Sequence, residues 1–265
     1  VDALALFFKA DERNKAIVVG DQTGMGKGRV AAGAIAYGAK QGLIPVFFTE
    51  KTNLLNDIYR DLSAIGESGL RPFIINNDGV MQNEMEEVVY KREKPSIFNA
   101  ILERMAQGNL SDFGPSGKYD YIASTYSQTN APDRDARKIR AFMGNNSEKF
   151  ITILDEAHNA AGEDSNQGQF AKDLLDPSRS KSAIYLSATW AKTPAHMAVY
   201  FRTDLGDAGS FDDIQKALNA GGMTMQEMVS KQLAAAGQNV RREQSFAGVK
   251  FEIDSTSDPE ELRRE

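Results

Sequence analysis

Short runs of consecutive apolar residues alternate along the chain with stretches in which apolar residues recur every three or four positions. The runs suit strands buried on both faces, and the spaced stretches suit amphipathic helices. Their alternation predicts an α/β fold with a mostly parallel sheet flanked by crossover helices. Strands are expected at Ala16 to Gly20, Pro45 to Thr49, Pro72 to Ile75, Tyr119 to Ser124, Phe150 to Leu154 and Ala183 to Ser187, six in all. Between them, an alanine-rich helix from Lys27 to Lys40 ends at Gly42. A second helix, opened by Thr52 or Asn53, puts Leu54, Leu55, Ile58 and Leu62 on one face and ends at Gly66. The charged stretch Asn83 to Lys94 and the helical pattern Ser96 to Gln107 form an excursion from the sheet near 76–118. Beyond Thr189 the alternation stops, and Phe211 to Ala236 reads as helices broken by Gly221 and Gly222. The expected division is a sheet domain over 1–203 and a helical appendage and linker over 204–265.

A chain of 265 residues, 41% of them hydrophobic, closes a substantial core. Its net charge of −6 excludes a uniformly basic nucleic-acid coat but leaves the sign of any one cleft open. With no cysteine there is no disulfide framework, cysteine-based zinc site or thiol nucleophile. No apolar run reaches the roughly 20 residues that span a bilayer, and the amphipathic start Leu4 to Phe8 is not a signal peptide. A soluble protein with no membrane partner is expected. The first residue, Val1, and the polar, acidic stretch Asp254 to Glu265 both read as cuts through a longer polypeptide.

Immediately after the first strand comes Asp21-Gln22-Thr23-Gly24-Met25-Gly26-Lys27-Gly28-Arg29, which opens directly into a helix. This is the setting of a phosphate cradle. Gly24 and Gly26 let backbone amides face inward, the helix N-terminus adds partial positive charge, and Lys27 reaches the β and γ phosphates. Thr23 to Arg29 are therefore the expected ATP-binding segment. Two positions depart from the general pattern: Asp21 stands where the first glycine is usual, and Gly28 replaces the hydroxyl residue that touches magnesium.

The strand Phe150 to Leu154 delivers Asp155-Glu156-Ala157-His158 at its carboxyl end, where open α/β sheets bind ligands. Two adjacent carboxylates at a buried strand end call for a cation. Asp155 is expected to hold Mg²⁺ and Glu156 to polarise the attacking water, with Lys27 completing the catalytic set. His158, one of two histidines, relays the phosphate state rather than binding metal. The strand ending in Ser187-Ala188-Thr189 supplies small hydroxyl residues to sense that state.

With these three elements in this order on strand ends, the chain resembles the first RecA-like motor domain of superfamily 2 helicases. Thr49-Glu50-Lys51-Thr52 follows the second strand where such helicases contact a nucleic-acid backbone, and Ser124-Thr125-Tyr126-Ser127-Gln128 is similar to a segment of Swi/Snf-type relatives. Lys51, Thr52, Thr125 and Tyr126 are thus the nucleic-acid candidates. The loop Gly20 to Arg29, with glycine and arginine after the lysine, is similar to that of strawberry notch proteins. So are Gly221 to Val229 and Gly237 to Ile253, including Arg241-Arg242-Glu243-Gln244-Ser245-Phe246. That resemblance implies ATP-dependent work on nucleic acid, DNA ahead of RNA, and a second RecA-like domain bearing arginine fingers outside this chain. It also implies a phage or mobile-element relative, often joined to a methyltransferase, in bacterial or infected-cell cytoplasm, or the nucleus of a eukaryote. A nucleotide-gated interaction module that binds ATP without productive hydrolysis stays open because of Gly28. A small-molecule phosphotransferase is disfavoured, having no use for a coupling strand.

Overall fold

The computed structural model describes residues 2–22, 24–129, 143, 146–160, 172–177, 179–187 and 194–242. The expected strands form as β1 (Ala16–Val19), β2 (Ile44–Thr49) and β3 (Pro72–Ile74). They continue, after the excursion, as β6 (Tyr121–Thr125), β7 (Phe150–Asp155) and β8 (Ser182–Leu186). Their order across the sheet is β3-β6-β2-β7-β8-β1, and every pair is parallel. A seventh strand, β9 (Asn239–Val240), pairs with β1 and closes that edge, so the sheet reaches past the boundary expected at residue 203.

Because both faces of this sheet are covered, adjacent residues of one strand feed two different cores. Ile17 and Val19 join α1 (Asp2–Glu12), α2 (Lys27–Lys40) and α3 (Leu54–Ala64) on one face. Ala16 and Val18 face the opposite core, shared with α4 (Pro95–Ala106) and α5 (Phe211–Ala235). α3 buries Leu55, Ile58 and Leu62 of the four residues expected on its face, while Leu54 is half-buried at the rim of a cavity. α1 is tied down by Asp11, which is 1% exposed and accepts hydrogen bonds from Lys181 Nζ, Ser182 Oγ and Tyr37 Oη.

The excursion contains an antiparallel hairpin, β4 (Val80–Gln82) and β5 (Val88–Lys91), followed by α4. Asn83 turns the hairpin by accepting the amides of Met85 and Glu87 at 3.0 and 2.9 Å. α5 starts at Ser210, whose hydroxyl caps Asp213 N, and it breaks at Gly222 (φ 57°, ψ −147°). A side chain is strained at that φ, so the expected glycine break is met there. No helix among the described residues is long and apolar enough to cross a membrane.

Candidate nucleotide-binding site

Lys27 opens α2 directly beyond the glycine loop, and Gly24 and Gly26 hold φ of 83° and 84°, the left-handed region that favours glycine. An added Cβ at Gly26 would meet nothing within 4 Å, so the loop borders open space. Gly26 also gives α2 no side-chain cap, which leaves its first amides to be satisfied by an anion. Lys27 Nζ donates to the Asp21 carbonyl oxygen at 2.8 Å and so sits folded over the loop.

Asp155 ends β7, two strands from β1, and Glu156 follows with φ 49°. A non-glycine residue in that region stores on the order of 1–3 kcal/mol of strain, and such strain gathers at functional sites. Thr49 Oγ1, at the end of β2, donates to Asp155 Oδ2 at 2.9 Å, and Tyr126 Oη donates to the Asp155 carbonyl oxygen at 2.8 Å. Burial, then the charge of Asp155, raises the Tyr126 hydroxyl well above its ordinary range, so it remains a donor. Burial also pushes the Asp155 carboxyl up to about 6, against the Thr49 hydrogen bond. Glu156 is raised as well, again by burial, with Lys27 opposing.

Lys27, Gly24, Gly26, Gly28, Arg29, Asp155 and Glu156 line a single cavity of about 600 Å³, together with Asp57, Arg60 and Asp61 of α3. Among the described residues no three acidic or histidine side chains converge as a preformed metal cage. That donor set fits magnesium, which is commonly held by one or two carboxylates together with substrate phosphates. His158 Nδ1 shares a 2.8 Å hydrogen bond with Ser187 Oγ and lies 3.3 Å from Glu156 Oε2. The acidic strand end is thereby connected to the end of β8.

A profile of the family described as P-loop containing NTP hydrolase pore-1 matches residues 5–264. The chain belongs to that family. Strawberry notch of Drosophila melanogaster is 28% identical over 96% of this chain, and FORGETTER 1 of Arabidopsis thaliana is 28% identical over 92%. This chain spans only 15% and 18% of the length of those two proteins. The SWI2/SNF2 ATPase core of Sulfolobus solfataricus, solved with double-stranded DNA, superposes with a TM-score of 0.56 at 17% identity. The alignment covers 90% of this chain and 42% of that one, and the likeness establishes the RecA-like fold.

Within this P-loop NTPase domain, the positions read from the sequence divide into three groups. Gly24 to Arg29, Asp155 and Glu156 line one cavity or its loop, and His158 and Ser187 adjoin it. Thr23, Ala188 and Thr189 lie outside the described residues. Of the nucleic-acid candidates, Lys51 is exposed and Thr52 half-buried. Thr125 and Tyr126 are buried at 1% and 4% exposure. The Thr125 hydroxyl is committed to Asn76 and Ser127, and the Tyr126 hydroxyl to Asp155. Three contributors were missed: Thr49 and Asp61, on elements assigned other tasks, and Arg242, whose main-chain N–H and guanidinium donate to the buried Asp21 carboxylate. Gly28 carried the one signal for Asp61, since a missing side chain implies a close neighbour.

Proposed function

We propose that this chain is the nucleotide-binding half of an ATP-driven motor that acts on nucleic acid, of the superfamily 2 helicase or translocase type. The reading rests on the shared cavity that Lys27 and the Asp155, Glu156 pair line from the ends of different strands. Lys27 exchanges the Asp21 carbonyl oxygen for the β and γ phosphates of ATP, and the amides at the start of α2 receive the remaining phosphate charge. Asp155, fixed by Thr49 and Tyr126, is the carboxylate that would hold magnesium. Magnesium, when bound, neutralises charge that builds on the phosphate oxygens. Glu156 accepts a proton from the water that attacks the γ phosphorus, as the bond from that phosphorus to the departing ADP oxygen breaks. His158 and Ser187 then pass the change at Glu156 to β8.

Action on nucleic acid is supported by the exposed Lys51 and the adjoining Thr52 beyond β2, and by the DNA-bound state of the archaeal core that shares the fold. DNA is preferred over RNA on that ground. The transition-state arginine comes from a second RecA-like domain outside this chain. Such an arginine is worth about 10³ to 10⁵ in rate, so the isolated chain turns over slowly. Gly28 favours a second reading, a module that binds ATP to gate an interaction without hydrolysing it. Both are tested by ATP hydrolysis in the full-length polypeptide with and without double-stranded DNA. Stimulation supports the motor. Magnesium-dependent ATP binding that Lys27→Ala abolishes, with no turnover under any condition, supports the gated module.

A further inference from the structure

Gly28 stands where a phosphate loop usually carries a hydroxyl for magnesium, and its surroundings explain what replaces it. An ideal Cβ built on Gly28 would lie 2.0 Å from Asp61 Oδ2 and 3.0 Å from Asp61 Cγ. The Asp61 carboxylate oxygen therefore lies in the space that the first atom of a side chain at position 28 would take, and any such side chain would make Asp61 give way. The φ of Gly28 is not in the left-handed region, so the backbone itself does not demand glycine there.

Asp61 is held in this place by its helix. Ile58 and Leu62 of α3 are buried at 3% and 1% exposure, which fixes the rotation of the helix and brings Asp61 toward the start of α2. Its side chain is 16% exposed and lines the same cavity as Lys27, Asp155 and Glu156. Its nearest ion-pair partner among the described residues is Arg29, whose Nε stands 4.0 Å from Oδ1 on a side chain 70% exposed. Arg60, which lines the same cavity, also acts on this carboxylate, and Oδ2 is the oxygen beside Gly28. Four carboxylates, Asp57, Asp61, Asp155 and Glu156, line this cavity beside Lys27, Arg29 and Arg60, and a divalent cation offsets the repulsion between the carboxylates and a triphosphate.

Resting on the nucleotide-binding reading above, we propose that Asp61 contributes a carboxylate oxygen to the shell of the nucleotide's divalent cation, in place of the missing hydroxyl. The pairing of Gly28 with Asp61 is then a relocated ligand: the oxygen reaches the cation from α3 instead of from α2. Nucleotide affinity depends more steeply on the cation than it would with a neutral hydroxyl, because without the cation Asp61 opposes the phosphates.

The test is binding of a fluorescent ATP analogue, titrated with Mg²⁺ and separately followed by Mn²⁺ paramagnetic resonance, in the wild type, Asp61→Asn and the double variant Gly28→Ser with Asp61→Ala. Asp61→Asn keeps the shape of the side chain and removes its charge. It should raise the cation concentration at half-saturation about 10- to 100-fold, the range seen when groups supporting a metal are removed. In EDTA it should bind nucleotide at least as well as the wild type. The double variant should recover part of the cation affinity. Melting temperatures supply a readout independent of nucleotide: Gly28→Ala should destabilise the wild type and be tolerated in the Asp61→Ala background. An unchanged cation midpoint in folded Asp61→Asn overturns the proposal and leaves nucleotide binding intact. Absence of nucleotide binding by the wild type overturns the functional reading itself, and the ligand role with it.

Discussion

Removing the Arg242 guanidinium should loosen the phosphate loop through a contact that spans 221 residues of sequence. The Asp21 carboxylate is 0% exposed and accepts from Arg242 N at 2.8 Å, from Nε at 3.0 Å and from Nη2. Among the described residues, Arg242→Ala leaves that carboxylate with the main-chain donor alone. Stripping one partner from a fully buried pair costs about 3–5 kcal/mol. The Arg242 side chain is 40% exposed, however, so water partly replaces it, and about 2–3 kcal/mol is the expected loss. At roughly 2–4 °C per kcal/mol for a domain of this size, the melting temperature should fall by about 4–12 °C. Calorimetry of Arg242→Ala, Asp21→Asn and the double variant isolates the pair: the double should cost clearly less than the sum of the singles. Arg242→Lys should fall between, since it keeps the charge and loses the fork. A loss below about 0.5 kcal/mol in Arg242→Ala, or strict additivity, would refute the reasoning.

Three further outcomes follow from the acidic strand end. Glu156→Gln should preserve nucleotide affinity and abolish hydrolysis in the full-length polypeptide, because it removes the base and keeps the shape; loss of binding as well would make Glu156 structural. Thr49→Val should cost about 1–3 kcal/mol in denaturant unfolding, since it takes a hydrogen bond from the buried Asp155 carboxylate. The Asp155 carboxyl lies at about 6 in the fold against 3.8 ordinarily, so the fold favours its protonated form. Its contribution to stability is fully present below the unfolded value and is lost as pH rises through the folded one. In metal-free protein, the stability of the wild type relative to Asp155→Asn should therefore fall by about 2 kcal/mol from about pH 4 to about pH 7.5. A difference that is flat or rises with pH would contradict the assignment.

The elements legible in the sequence were those whose pattern has one physical cause. β1, β2, β7 and β8 are buried along almost their whole length, so each appears as a predominantly apolar run, interrupted in β7 by Thr152. The stripe on α3 appears at helical spacing because one face alone is buried. β9 was not legible, because two residues, Asn239 and Val240, carry no periodicity and their pairing depends on β1 being nearby. The hairpin of β4 and β5 was hidden by its own exposure, with Val88, Val89 and Met85 on the surface and charged neighbours between them. Within the site, the loop and the acidic pair were readable because their spacing follows from strand ends in one sheet. The burial of Thr125 and Tyr126 was not legible, because hydroxyl residues after a strand suit a surface contact and a buried network equally well.

The two departures of the phosphate loop from its usual pattern have one form. At each, a residue unusual for the loop is matched by a side chain arriving from outside it: Asp21 by Arg242 beyond β9, and Gly28 by Asp61 of α3. Neither change is neutral alone, since an unpaired Asp21 carboxylate is costly and Gly28 without Asp61 would leave the cavity short of an oxygen. The pairs also join elements that a simple phosphate loop leaves independent. The main-chain oxygen of Asp21 holds Lys27 while its carboxylate holds Arg242, so a displacement of the chain beyond β9 acts on the lysine through one residue. Arg242→Ala should therefore weaken nucleotide binding as well as stability. Adding back stability at a remote site should restore the melting temperature without restoring the affinity.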